Sequence, residues 1–153
     1  MYGKILIALD GSEPANNALE HAIRIATAFG AELRLLAVVP GMMLSVLSEE
    51  VDDSLIAPRA QDLISSQERL RSVYGQILED AASKLKSEHP DLVFGTLLRE
   101  GRPSVTIIEV AEEEDVDLVI LGSEGLGGIT GYLLGGTSRR VMDSCTKPVL
   151  IVK

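Results

Sequence analysis

The stretch from Asp117 to Val141, DLVILGSEGLGGITGYLLGGTSRRV, decides how this chain is read. It opens on an unbroken apolar run, Leu118-Val119-Ile120-Leu121, the pattern of a parallel strand covered on both faces. Gly122 ends the run, and glycines recur at Gly125, Gly127, Gly128, Gly131, Gly135 and Gly136. Thr137, Ser138, Arg139 and Arg140 follow, and then Val141 and Met142, which read as the start of a helix. The order is therefore strand, glycine-rich loop, helix. Glycine reaches positive φ at little cost and lets the backbone approach a bulky anion, so several N–H groups can converge on one phosphate. A helix beginning there adds its unpaired N–H groups and the positive end of its dipole. Thr137 and Ser138 add hydroxyl donors. A single pair of glycines would read as the mere end of a strand; glycines on both sides of a long excursion favour an anion site.

Working outward, the N-terminal part carries a second such run, Ile5-Leu6-Ile7-Ala8-Leu9, stopped by Asp10 and Gly11. Ser12 is a good N-cap, Pro14 suits a first helical turn and Gly30 a helix end. Between them Ala15, Ala18, Leu19, Ala22, Ile23, Ala26 and Phe29 share one helical face, with His21 off it in solvent. Leu35 to Val39 before Pro40 is the next strand, completing a strand-helix-strand unit. From Gly41 to about Ala60 the sequence predicts an irregular, partly helical connection interrupted by Pro58. Its Met42, Met43, Leu44, Val46 and Leu47 form a flap over the core.

From about Ala60 to Ser87 the positions of Leu70, Val73, Tyr74, Ile77, Leu78, Ala81 and Leu85 predict a long amphipathic helix, stopped at His89-Pro90. Leu92 to Arg99 is expected as the third strand, weakened by Gly95. Gly101-Arg102-Pro103-Ser104 turns into a helix carrying Ile107, Ile108, Val110 and Ala111. The carboxylates Glu112 to Asp115 at its far end are adjacent, so they diverge around the helix and read as a solvated end rather than a metal site. A short helix over Val141 to Ser144 and a strand from Pro148 to Val152 finish the chain, with Cys145 a small buried residue at the helix end.

At 153 residues the chain is expected to fold as a single domain with its own core. A net charge of −9 repels polyanions, and aromatics at 3% supply few stacking platforms, so nucleic acid is not an expected partner. No apolar stretch is long enough for a signal core or a membrane span, and one cysteine makes no internal disulfide; a soluble cytoplasmic protein without a membrane partner is expected.

This alternation predicts an α/β fold in three layers, Rossmann-like, around a five-stranded, mostly parallel sheet of order 3-2-1-4-5. Ligands in such sheets bind beyond the carboxyl ends of the strands where the order reverses, here between the first and fourth strands. Ala8, Leu9, Asp10 and Gly11 then face Gly122 and Ser123 across one cleft. Asp10 has two readings: a turn residue capping the first helix, or the protein-side ligand of a Mg²⁺ that mediates between carboxylate and phosphates. Phosphoryl transfer needs a positioned nucleophile and positive charge on the transferred group. The sequence has no glycine loop ending in Gly-Lys-Ser/Thr and no nucleophile elbow, so no catalytic residue is assigned.

The spacing of Gly122, Gly125 and Gly135, together with LIALDGS, REGRPS, DLVILG and KPVLIV, resembles the universal stress protein family along nearly the whole chain. The family's glycines are followed directly by Ser or Thr; here Gly136 stands at that position, with Thr137 and Ser138 just after. The resemblance implies an ATP-binding stress-response protein, a nucleotide-dependent switch with slow or no hydrolysis. Adenine is then expected at Ala8, Leu9, Asp10 and the backbone of Val38. Ribose and phosphates are expected at Leu121, Gly122, Gly125, Gly135, Gly136, Thr137 and Ser138, with weaker or shifted phosphate contact where Gly136 replaces a hydroxyl. It further implies a homodimer through the last strand, which agrees with the hazard of leaving Val149 to Val152 as a bare apolar edge. Two other functions fit the same fold: an interaction module that binds no nucleotide, and a nucleotide hydrolase.

Overall fold

The computed structural model describes residues 1–41, 53–125 and 134–153, with side chains from residue 60 onward in the second of these segments. The apolar runs form strands β1 (Lys4–Ala8), β2 (Glu32–Pro40), β3 (Phe94–Gly101), β4 (Leu118–Gly122) and β5 (Val149–Val152). Between them lie helices α1 (Glu13–Phe29), α2 (Asp53–Glu88), α3 (Pro103–Glu113) and α4 (Gly136–Ser144). The sheet has five strands in the order β3-β2-β1-β4-β5, and every pairing is parallel.

The unbroken runs follow from burial on both faces. Ile5 and Ile7 pack with Leu33, Leu35 and Ile120 under α1 and α2. Their neighbours Leu6, Leu36, Val119 and Leu121 point the other way, onto Ile107 and Val110 of α3 and Val141 of α4. Because successive strand side chains alternate faces, both kinds of position must be apolar. Helix α1 is held as its sequence implies: Ser12 Oγ accepts from Ala15 N at 3.3 Å, and Gly30 closes the helix at φ 66°. Among the described residues no helix is long and apolar enough to cross a membrane.

Several boundaries differ from expectation. Helix α2 begins at Asp53 and runs through Pro58; a proline costs a helix least near its N-terminal end, and Pro58 falls in the second turn. The methionine-bearing stretch 42–52 lies outside the described residues. Strand β3 is shifted toward the C-terminus because its register is set by β2, from Leu33 against Phe94 to Pro40 against Gly101. Gly95 within it lies under Arg34, whose Nη1 occupies the place a Cβ would take. Helix α4 starts at Gly136, five residues before Val141. Phe29, Leu70 and Val73 are exposed rather than in the core. Phe29 instead sets its ring edge against Tyr2, with centroids 5.2 Å apart at 81°. The carboxylates at the end of α3 do diverge, but to separate partners rather than to solvent alone. Glu112 meets Thr146, Glu113 faces Arg99, Glu114 lies 2.9 Å from Arg34 Nε and Asp115 lies 2.7 Å from Lys147 Nζ.

Candidate functional site: the cleft at the carboxyl ends of β1 and β4

Strand β1 pairs with β2 on one side and β4 on the other, so the chain reverses its winding there, and the ends of β1 and β4 open a crevice between their outgoing loops. A cleft of about 210 Å³ occupies this place. Its β1 side is Ala8, Leu9 and Asp10; β2 supplies Val38 and Pro40; β4 supplies Leu121 and Gly122, continuing into Glu124 and Gly125. Helix α4 contributes Thr137 and Ser138, and α3 contributes Pro103 and Ile107.

Main-chain bonds fix the rim. Leu9 N donates to Leu36 O at 2.7 Å, extending the β1–β2 ladder past the end of β1. Ser123 N donates to Val152 O, and Gly135 N to Ser123 O, each at 2.7 Å. The glycine excursion thus leaves from and returns to the tip of β4. Gly127, Gly128 and Gly131 within it lie outside the described residues.

The spaced glycines do different things. At Gly122 a Cβ would fall 2.6 Å from Pro14 C and 2.7 Å from Ala15 N, so this glycine lets the first turn of α1 rest on β4. At Gly125 a Cβ would fall 2.8 Å from Oδ2 of Asp10, so this glycine brings the β4 loop against the β1 carboxylate. At Gly135 the nearest atoms are Ser123 O at 3.3 Å and Glu124 Cα at 3.4 Å, a snug return of the chain. Gly136 has nothing within 4 Å of a built Cβ.

Asp10 accepts from Ser12 N at 2.9 Å through Oδ1. That bond braces the turn at Gly11, whose φ of 81° favours glycine. Both readings of Asp10 therefore keep a basis: it organises the turn into α1, and it lines the cleft. Among the described residues no group of three or more His, Cys, Asp or Glu could hold a metal ion. A Mg²⁺ here would take Asp10 as one ligand and phosphate oxygens and waters for the rest, which suits its preference.

The two hydroxyls part company. Ser138 is buried, and its Oγ donates to Gly122 O at 2.7 Å. A hydroxyl has one proton to give, so Ser138 as placed latches α4 to the end of β4 and offers a ligand only acceptor capacity. Thr137, one residue earlier, is exposed on the cleft side. Helix α4 starts at N-cap Gly135 with no side-chain cap, so its first N–H groups stand available to an anion. Arg139 and Arg140 are exposed and lie outside the lining.

Every residue that the sequence proposed for nucleotide contact lies in the lining except Gly135 and Gly136, which sit on the return of the excursion into α4. Six lining residues were not anticipated: Ala15, Pro40, Tyr74, Pro103, Ile107 and Glu124. Pro40 and Pro103 had a usable signal, since each stands at the carboxyl-end level of the sheet, where a ligand belongs. Tyr74 and Ile107 had none, being apolar-face residues of helices. Burial first and the negative charge of Asp10 second raise the Tyr74 phenol above its ordinary range.

The family model of the universal stress protein family matches residues 1–153. This chain belongs to the universal stress protein family. It is 33% identical to universal stress protein MJ0531 of Methanocaldococcus jannaschii over 153 residues, covering 100% of this chain and 83% of that one. It is 32% identical to universal stress protein YxiE of Bacillus subtilis, covering 100% of both chains. Among solved structures it is similar to MJ0577, with a TM-score of 0.73 and 28% identity, over 100% of this chain and 96% of that one. The fold and family expected from the glycine stretch are thus the ones found.

Proposed function

We propose that this universal stress protein binds an adenine nucleotide in the cleft between β1 and β4, with the base toward Ala8, Leu9, Asp10 and Val38 and the phosphates toward Gly125, Thr137 and the start of α4. The observation that carries the reading is the meeting of Asp10 with Gly125, two stretches far apart in sequence, where a Cβ at Gly125 would fall 2.8 Å from the Asp10 carboxylate. Apolar side chains that suit a flat base and main-chain donors that suit an anion line that one cleft. The same fold accommodates such ligands. A universal stress protein 24% identical to this chain was solved in complex with cAMP, and one from Archaeoglobus fulgidus, 22% identical, in complex with dAMP.

ATP is the nucleotide that the family resemblance implies, with Mg²⁺ on Asp10 as its mediator. Nucleotide occupancy alters the glycine loop and so changes a surface that a protein partner reads. Hydrolysis is slow or absent in this reading, because the sequence supplies no Gly-Lys-Ser/Thr loop to hold the transferred phosphoryl group. The protein acts in the cytoplasm as a homodimer through β5, whose Val149, Leu150 and Ile151 are only half-buried within one chain.

A thermal shift series with ATP and Mg²⁺ tests the reading. At one hundred times its dissociation constant a ligand stabilises the folded state by about 2.7 kcal/mol, and no shift with any adenine nucleotide would leave the interaction-module function in its place.

A further inference from the structure

Helix α2 crosses the carboxyl end of the sheet, and its contacts there bracket Tyr74. Gln67 Nε2 donates to Pro40 O at 3.1 Å and to Glu100 Oε1 at 2.8 Å, at the ends of β2 and β3. Further along the helix, Ile77 lies over the turn that follows β1, its Cδ1 3.0 Å from where a Cβ on Gly11 would stand. Tyr74 comes between the two, about two turns after Gln67 and on the same helical face. It is buried, packs into the core beneath α1 and α2, and lines the cleft.

A buried phenol usually finds a hydrogen-bond partner, yet the Tyr74 hydroxyl has none among the described residues. Among the described lining residues the side chains with a proton to donate are Tyr74, Thr137 and Ser138, and Ser138 gives its own to Gly122 O. Thr137 stands at the uncapped start of α4, beside main-chain N–H groups that suit a phosphate. Tyr74 instead belongs with the ends of β1 and β2, whose Ala8, Leu9 and Val38 give the lining apolar surface. Burial first and the charge of Asp10 second raise the phenol, so it keeps its proton through neutral pH and acts as a neutral donor. Such a donor suits a neutral acceptor, a ring nitrogen or a sugar oxygen, and a few polar groups of this kind fix a ligand's orientation in an apolar pocket.

We propose that Tyr74 is a specificity-determining residue of the cleft: its hydroxyl donates a hydrogen bond to the nucleoside part of the ligand and its ring extends the apolar wall, while Thr137 serves the phosphate. This rests on the adenine-nucleotide reading above and deepens it. A site that hydrogen-bonds its ligand discriminates against one that lacks the matching group, because the site's own polar group is then left unpaired.

NMR titration of the full chain with adenosine and with AMP tests the proposal, comparing wild type, Tyr74→Phe and Thr137→Ala. Tyr74→Phe keeps the ring, and its urea midpoint is expected to match the wild type because the hydroxyl holds no described residue. It is expected to weaken adenosine and AMP by the same factor, about three- to tenfold, whereas Thr137→Ala weakens AMP and leaves adenosine as it is. On the wild-type chain the Tyr74 ring signals, identified by their loss in Tyr74→Phe, are expected to move as adenosine is added. Wild-type affinity for both ligands in Tyr74→Phe, or ring signals unmoved at saturation, overturns the contact and leaves the adenine-nucleotide reading standing. A loss for AMP alone puts the phenol on the phosphate and overturns the nucleoside contact likewise. Binding of neither ligand to the wild type overturns both.

Discussion

The two ends of the sheet use the same kinds of residue in opposite ways. At the amino end charges beside the strand starts pair with protein groups. Lys4 Nζ donates to Glu114 O at 2.8 Å, and Arg34 joins Glu32 and Glu114 at 3.1 and 2.9 Å. Lys147 meets Asp115, and Asp117 accepts from Gly3 N and Lys4 N at 2.7 and 3.0 Å. At the carboxyl end the cleft is lined by carboxylates, a hydroxyl and an uncapped helix start, with no basic side chain among the described lining residues. Asp117 and Asp10 make the contrast sharp: each caps main-chain N–H groups beside a strand, but only Asp10 also faces a cavity. One end is tied by pairs within the protein; the other opens a cleft.

The largest break in this contrast is expected at Gly122. Gly122→Val puts side-chain carbon against the backbone of Pro14 and Ala15, and backbone cannot give way as a flexible side chain can. A loss of about 1–3 kcal/mol or more in urea unfolding is expected, together with loss of nucleotide binding. Unchanged stability would mean that α1 does not rest on β4 as described.

Ser138→Ala comes next. It leaves Gly122 O, in a buried setting, without its donor, and costs about 1–3 kcal/mol. Thr137→Ala, on the exposed side, should leave urea stability within about 0.5 kcal/mol and weaken phosphate binding instead. If the two variants exchange phenotypes, Ser138 is a ligand contact and not a latch.

A smaller effect separates two glycines. Gly125→Ala crowds the Asp10 carboxylate, whereas Gly136→Ser enters open space. The first is expected to weaken nucleotide binding about tenfold with little change in unfolding; the second restores a hydroxyl beside the start of α4 and leaves affinity equal or tighter. Titration of both variants with AMP decides between them.

The smallest effect belongs to the amino end. Main-chain N–H bonds from Gly3 and Lys4 hold the Asp117 carboxyl below its ordinary range. A depressed carboxyl stabilises the fold above its unfolded pKa and loses that contribution as pH falls through its folded pKa. Asp117→Asn should therefore lower Tm slightly at neutral pH, and the difference should vanish in acid. A difference that grew on acidification would carry the wrong sign.

Much of this was readable in advance because the deciding residues act locally. Ile5 to Leu9 and Leu118 to Leu121 are apolar at every position, which only a doubly covered strand requires, and that pattern placed both sides of the cleft before any coordinates. Ser12, Pro14 and Gly30 mark α1 by the chemistry of helix ends. What the sequence hides depends on partners remote along the chain. The shift of β3 is set by β2, Gly95 yields to Arg34, and Tyr74 looks like any core residue of α2 until the helix is laid over the end of β1. The separation of Ser138 from Thr137 is of the same kind, since nothing in GGTSRR says which hydroxyl turns toward Gly122.

Amide chemical-shift mapping with AMP tests the central claim most directly, because it reads both ends of the sheet at once. The N–H signals of Leu9 to Ser12, Ser123 to Gly125 and Gly135 to Ser138 are expected to move in proportion to occupancy, while those of Gly3, Lys4 and Glu114 to Asp117 stay in place. Shifts confined to the amino end, or none at saturating AMP, would contradict it.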